Sequence, residues 1–196
     1  NREHNIVHSE PEGTRIEADD AVKALNWKGN YFVDADHINL ANVDRFILHA
    51  NFFTLDVAKN IGNKPGKDEI KAFKESCKKL GKKITIPGID QPIEIADTLL
   101  ENMAGKYLAA IKEAGKIFRH IEGTKGKDNF ITEVSMDEVE SPQTPVELFF
   151  ILKMIADEQI PAQTIAPKFT GRFNKGVDYA GDLAKFKKEF EQDVLV

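Results

Sequence analysis

The chain has 196 residues, 41% of them hydrophobic, which suffices for one sizeable core or a domain and a half. Mean hydropathy is -0.38, and no apolar run approaches the roughly 20 residues that a membrane-spanning helix needs. A net charge of -5, with both signs mixed along the chain, argues against a nucleic-acid partner, which calls for a basic surplus.

The first residues, Asn1-Arg2-Glu3-His4, show neither an initiator Met nor a charged segment followed by an apolar stretch. No signal peptide is visible, and the chain reads as a piece of a longer one. Residues 18–25 predict a short helix closed by Lys28-Gly29-Asn30. Residues 31–36 are a brief apolar run ending in acids, the look of a buried strand. Residues 44–60 place Phe46, Ile47, Ala50, Phe53, Val57 and Ala58 on one helical face and predict a helix stopped by Gly62. A lysine-rich helix follows over 68–80. Eight lysines between 64 and 83 face only Asp68, Glu69 and Glu75, which reads as a solvated surface. Cys77, the lone cysteine, falls in step with Ile70, Phe73 and Leu80. It reads as a buried structural thiol in a reducing cytoplasm, with no disulfide or thiolate zinc site.

Residues 84–93 hold two short β-like pieces around Pro87-Gly88 and Pro92, an excursion or hairpin. Residues 94–122 predict one long helix, with Gly105 and Gly115 as packing points or bends. Residues 129–134, Asn-Phe-Ile-Thr-Glu-Val, form a strand followed by the acidic loop 135–140. Thr144-Pro145-Val146-Glu147 gives a capping box with proline at the first helical position. The helix it opens runs to about Glu158 and buries Leu148, Ile151, Leu152 and Ile155. Residues 161–167 are another strand, 171–178 a loop, and 182–193 a helix with Leu183, Phe186 and Phe190 inside.

Strand-helix alternation with buried strands predicts an α/β fold of parallel units. Three core strands fall short of the eight in a closed (β/α)8 barrel of about 250 residues. The expectation is one domain over 1–196, part of a TIM-type barrel and incomplete, with an insertion or excursion over 63–93. Neither a Gly-x-Gly-x-x-Gly turn nor a phosphate-binding loop motif is present, so nucleotide binding has no support.

Chemistry-bearing residues gather at strand ends. The first strand ends Val33-Asp34-Ala35-Asp36-His37, the second carries Glu133, and the third leads into Lys168. In a parallel α/β protein these ends share the face that holds active sites. Asp34 and Asp36 point one way along a strand, so His37 joins Asp36 only if the backbone turns directly after Asp36. Imidazole and carboxylate together are normal ligands for divalent ions and normal proton-transfer groups. Glu133, set among Phe130, Ile131, Thr132 and Val134, is expected to be desolvated, which suits a general acid or base near neutral pH. An ion pair with Lys168 is the structural alternative. His49 and His120 read as packed or solvated helix residues, and His4 and His8 as exposed terminal ones. The segment from Gln163 to Gly176 joins an apolar strand to Lys168, Arg172 and Lys175. Such a loop can grip a carboxylate, with Arg172 as a planar donor fork and Lys168 as a point charge.

The chain resembles the tagaturonate/fructuronate epimerase family. The match lies in Phe32-Val33-Asp34-Ala35-Asp36-His37-Ile38, Glu133-Val134-Ser135-Met136-Asp137-Glu138, Pro142-Gln143-Thr144-Pro145 and above all residues 163–179. The resemblance implies a longer, barrel-like, divalent-metal-dependent enzyme that interconverts D-tagaturonate and D-fructuronate. It implies Asp36 and Glu133 as acid/base residues, His37 as a metal ligand, and Gln163 as a second ligand or a substrate contact. Asp34, Lys168 and Arg172 are the expected substrate contacts. A further ligating histidine of the family is expected in a segment beyond Val196, so the metal site in this chain is expected to be incomplete. Another metal-dependent barrel aldolase or ketose isomerase, or a non-catalytic sugar-acid-binding module, is the alternative. A homo-oligomer is also expected, since an unfinished barrel exposes sheet edges.

Overall fold

In the computed structural model, which describes residues 2–174 and 176–196, the chain opens with helices α1 (Arg2–Val7) and α2 (Pro11–Ala24). It continues through β1 (Asp34–Ile38), α3 (Asp44–Ile47), β2 (Phe52–Asp56) and α4 (Lys67–Cys77). A small hairpin, β3 (Lys83–Ile84) and β4 (Ile93–Glu94), precedes α5 (Asp97–Met103) and α6 (Ala109–Lys125). The last elements are β5 (Ile131–Ser135), α7 (Pro145–Asp157), β6 (Thr164–Ala166) and α8 (Leu183–Leu195).

The four longer-range strands form one parallel sheet in the order β1-β2-β5-β6. This is the parallel α/β arrangement expected, with one strand more than the sequence revealed. The missed strand is β2. The helix expected over 44–60 stops after one turn at Ile47, and residues 52–56 pair with β1 on one side and β5 on the other. Phe52, Phe53 and Thr54 suit a pleated, twice-paired position, and a short apolar run reads alike as buried strand or buried helix. Asn51 fixes the change of direction. Its side chain accepts from the Val33 N–H at 2.6 Å and donates to the Tyr31 carbonyl at 3.2 Å, fastening the turn to the start of β1.

Other elements follow local chemistry closely. Residues 83–94 form the expected excursion, as an antiparallel hairpin. The long helix exists as α5 and α6 joined by a π-helical stretch at Ala104–Leu108 that contains Gly105. Tyr107, in that stretch, is fully buried and donates its hydroxyl to Glu147 at 2.8 Å. The same Glu147 accepts from Lys106 and completes the capping box with Thr144, so the start of α7 is tied to the middle of the long helix. The helix α2 begins seven residues earlier than the pattern indicated, with Pro11 in its first turn. His4, expected to be exposed, bonds Ser9 at 2.8 Å and packs against the Phe46 ring.

The core departs from expectation at its C-terminal end. Leu148, Ile151 and Ile155 are buried as the period requires, but Leu152 is 36% exposed. Leu183 and Phe190 are each 50% exposed, and α8 has no buried residue. Its aromatics instead join a surface cluster in which Phe186 stands 5.4 Å from Phe169 and 5.1 Å from Phe173.

Alternation splits the sheet. On one face Ala35, Phe53, Leu55, Thr132 and Val134 are buried in the helix-covered core. On the other stand Asp34, Thr54, Glu133 and Thr164, with Thr54, Glu133 and Thr164 in register across three strands. Among the described residues, β1 and β6 each have one sheet neighbour. No helix of the described residues is long and apolar enough to cross a membrane.

Candidate active site

The turn that His37 requires is present. Its φ is +54°, and the β1–β2 register shifts between Ala35 and Ile38, a bulge at the strand's C-terminal end. Histidine tolerates this left-handed backbone better than most residues with a side chain, and bulges re-aim side chains at functional rims. The effect is direct: Asp36 and His37, which regular pleating would separate, meet with Asp36 Oδ1 2.5 Å from His37 Nδ1.

That contact sets the chemistry of the imidazole. With Nδ1–H donating to Asp36, a neutral His37 keeps its lone pair on Nε2. His37 Nε2 is buried, has no hydrogen-bond partner, and lies 3.8 Å from Asp137 Oδ1. Asp137 follows β5 and accepts from the Ser135 hydroxyl at 3.0 Å. Burial alone lowers the affinity of His37 for a proton. The Asp36 hydrogen bond and the charges of Asp36, Asp137 and Glu138 outweigh it, so its pKa is raised.

A divalent ion would find suitable donors here in part. His37 Nε2 is oriented and unpartnered, and Asp137 offers a carboxylate beside it. No third His, Cys, Asp or Glu joins them among the described residues. Gln163, the other expected ligand, is not brought to His37. Its side-chain oxygen accepts from the Thr132 N–H at 2.7 Å, and the β6 edge is three strand positions from β1.

Lower on the open face, Thr54 joins two carboxylates. Its hydroxyl lies 3.4 Å from Asp34 Oδ1 and 3.2 Å from Glu133 Oε1. Asp34 as a residue is exposed, but its carboxyl is crowded by the sheet. Burial, then the charges of Asp36 and Glu133, push its pKa up to about 6, against the Thr54 bond and the His37 charge. Glu133 is half-buried, and Lys168, the alternative partner, makes no ion pair with it among the described residues.

Lys168 is held at the end of β6 by a buried glutamine. Gln143, 4% exposed, accepts from the Lys168 N–H at 2.5 Å and donates to the Met136 carbonyl, stitching the loops after β5 and β6 together. Lys168 and Asp137 line a cleft of about 360 Å³ with Phe169, Phe173 and Phe190. Arg172 is exposed and pairs its backbone with Ala180. Gly171, at φ +100°, lets that loop close, since a Cβ there would meet the Tyr179 ring within 2.5 Å. Lys175, the third cation expected in the loop, lies outside the described residues.

The sequence pattern does not reveal Thr54, because residues 44–60 read as one helix, and helical spacing separates residue 54 from Asp34 and Glu133. Asp137 and Gln143 were within reach, since both stand in the segments that carry the resemblance.

A family model described as tagaturonate epimerase, UxaE, matches residues 2–196. The chain belongs to this family. It is 28% identical over 188 residues to the tagaturonate/fructuronate epimerase of Thermotoga maritima, covering 88% of this chain and 38% of that protein. It superposes with a TM-score of 0.69 and 25% identity on the glycerol-complexed crystal structure of fructuronate-tagaturonate epimerase UxaE from Cohnella laeviribosi, covering 89% of this chain. The native crystal structure of the Cohnella protein gives a TM-score of 0.66 at 24% identity. The chain thus spans 38% of the length of these relatives.

Proposed function

We propose that this chain carries part of the active site of a hexuronate epimerase, a cytoplasmic isomerase interconverting D-tagaturonate and D-fructuronate. The observation that supports it most is the gathering of carboxylates and an imidazole on the open face of a parallel sheet, Asp36 against His37 towards the C-terminal end of β1 and Asp34 and Glu133 about Thr54 lower down. The family assignment names the substrate class. In this reading the strands are part of a (β/α)8-type barrel, and further chain or a second copy covers the open edges of β1 and β6.

The two sugars differ at a carbinol carbon not adjacent to the ketone, so simple enolisation does not reach it. Cleavage and re-addition of a carbon–carbon bond, or a relay of protons, is needed, and each develops an oxyanion. A divalent ion held at His37, with Asp137 beside it, would supply Lewis-acid stabilisation of that charge. Asp36 and Glu133 are the acid/base pair of this reading. Asp36 has a second role in it, holding the His37 ring in one tautomer. Lys168 and Arg172 offer cations for the substrate carboxylate, and Asp34 a contact for its hydroxyls.

The test is to incubate the complete gene product with D-tagaturonate and a divalent metal. Fructuronate is expected; three-carbon fragments would point to an aldolase, and no turnover to a binding module. Glu133→Gln should lower kcat by about 10²–10⁴-fold, the usual contribution of a positioned acid or base. Unchanged turnover in both Glu133→Gln and Asp36→Asn would remove them from the chemistry.

A further inference from the structure

The cations Lys168 and Arg172 flank Thr170, two residues away on either side, and Thr170 is fastened at every polar group it has. Its N–H and its hydroxyl donate to the two carboxylate oxygens of Glu189 on α8, at 2.8 and 2.7 Å, and its carbonyl accepts from the Tyr179 hydroxyl at 2.8 Å. Two bonds to one carboxylate fork are charge-assisted and fix direction as well as distance. The flanking residues are fastened too. Gln143 accepts from the Lys168 N–H, and the backbone of Arg172 exchanges hydrogen bonds with Ala180 at 2.9 and 3.3 Å. The Glu189 side chain is 19% exposed and lies 3.8 Å from Lys185, so its short contacts are those to Thr170. Phe186 and Phe190 already hold α8 against Phe169, so docking that helix does not by itself call for a two-point clamp. The clamp instead fixes the backbone between the two cations, beside the cleft that Lys168 shares with Asp137, the neighbour of His37.

We infer that Glu189 is a positioning residue for substrate binding: through Thr170 it presents Lys168 and Arg172 from a pre-set loop to the carboxylate of the sugar acid. The inference rests on the proposed grip of those two cations on the substrate and deepens it, by naming what holds them in readiness. The physical gain is pre-organisation. A long cationic side chain on a slack loop loses backbone and rotamer freedom together when it binds, whereas a clamped loop has less left to lose. Glu189 moves no proton and touches no reacting atom. The clamp therefore acts on binding of the anionic end of the substrate and not on the carbon that inverts. Weakening an interaction made equally in the ground state and the transition state raises KM and leaves kcat unchanged. The signature is selective for charge: a hexuronate should lose affinity, and the same sugar with CH2OH in place of its carboxylate should not.

The test uses the complete gene product. It measures KM and kcat for tagaturonate, the Kd of tagaturonate by calorimetry, and inhibition by the neutral sugar that carries CH2OH in place of the carboxylate. Glu189→Ala should raise KM and Kd about tenfold, comparable to the cost of ordering two long side chains on binding. Its kcat should stay within about twofold of wild type, and inhibition by the neutral sugar should not change. Thr170→Val removes only the hydroxyl half of the clamp and should raise KM about threefold. Thr170→Ser keeps both halves and should match the wild type. If Glu189→Ala does not fold, the two Thr170 variants carry the same test. Equal weakening of charged and neutral sugars, a fall in kcat alone, or unchanged affinities in every variant overturns the positioning role even if the protein is an epimerase. A wild type that binds tagaturonate without turning it over, with the charge-selective loss in the variants, supports the positioning role and overturns the epimerase reading. No binding of tagaturonate by the wild type overturns both.

Discussion

On one side of the sheet, Phe53 is fully buried, edge-on to Phe130 at 5.6 Å, with Phe118 of α6 beyond. One residue further along the same strand, Thr54 turns to the other side and meets Asp34 and Glu133. Neighbours in sequence thus serve opposite ends. The helix-covered face removes apolar surface from water, and the open face gathers carboxylates that cost stability to bring together. The difference teaches that a substitution's face, more than its position along the chain, decides whether it harms folding or chemistry.

The comparison breaks if Phe53→Ala is mild. Removing this ring should cost about 3–5 kcal/mol of unfolding free energy by denaturant titration, the usual range for a buried phenylalanine. At the rim, the His37 bulge sharpens it. His37→Gly should be more stable than His37→Ala by about 1 kcal/mol, because glycine carries no Cβ penalty at φ +54°. The reverse order would mean that the backbone relaxes out of the left-handed conformation.

On the open face the sign changes. Asp34 titrates near 6 in the fold against 3.8 in an open chain. The folded state therefore binds more protons in that window, and stability falls as pH rises from about 4 to 6. Asp34→Asn should raise Tm by about 1–3 °C at pH 7 and leave it unchanged at pH 4. Smallest of all, Thr164→Ser, at the exposed end of the register row, should move stability by less than about 0.5 kcal/mol.

Much of this was legible in local chemistry. The capping box at Thr144, the hairpin at 83–94 and the pairing of Asp36 with His37 all rest on residues a few positions apart. The strand β2 was not, because Phe52, Phe53 and Leu55 are apolar enough to suit a buried helix, and only pairing with β1 and β5 settles the matter. Nor was the weak burial of α8. Its leucine and phenylalanines repeat with a helical period, yet period reports a face and not what covers it.

The sequence by itself determined a parallel α/β chain, the candidate residues Asp34, Asp36, His37 and Glu133, and the segments that carry the family resemblance. Tertiary structure alone decided that Thr54 stands between Asp34 and Glu133, and that Gln163 caps Thr132 far from His37. The reason is register. Which residues stand side by side across a sheet depends on backbone pairing between segments up to 79 residues apart, as for Thr54 and Glu133, and no local pattern encodes that alignment.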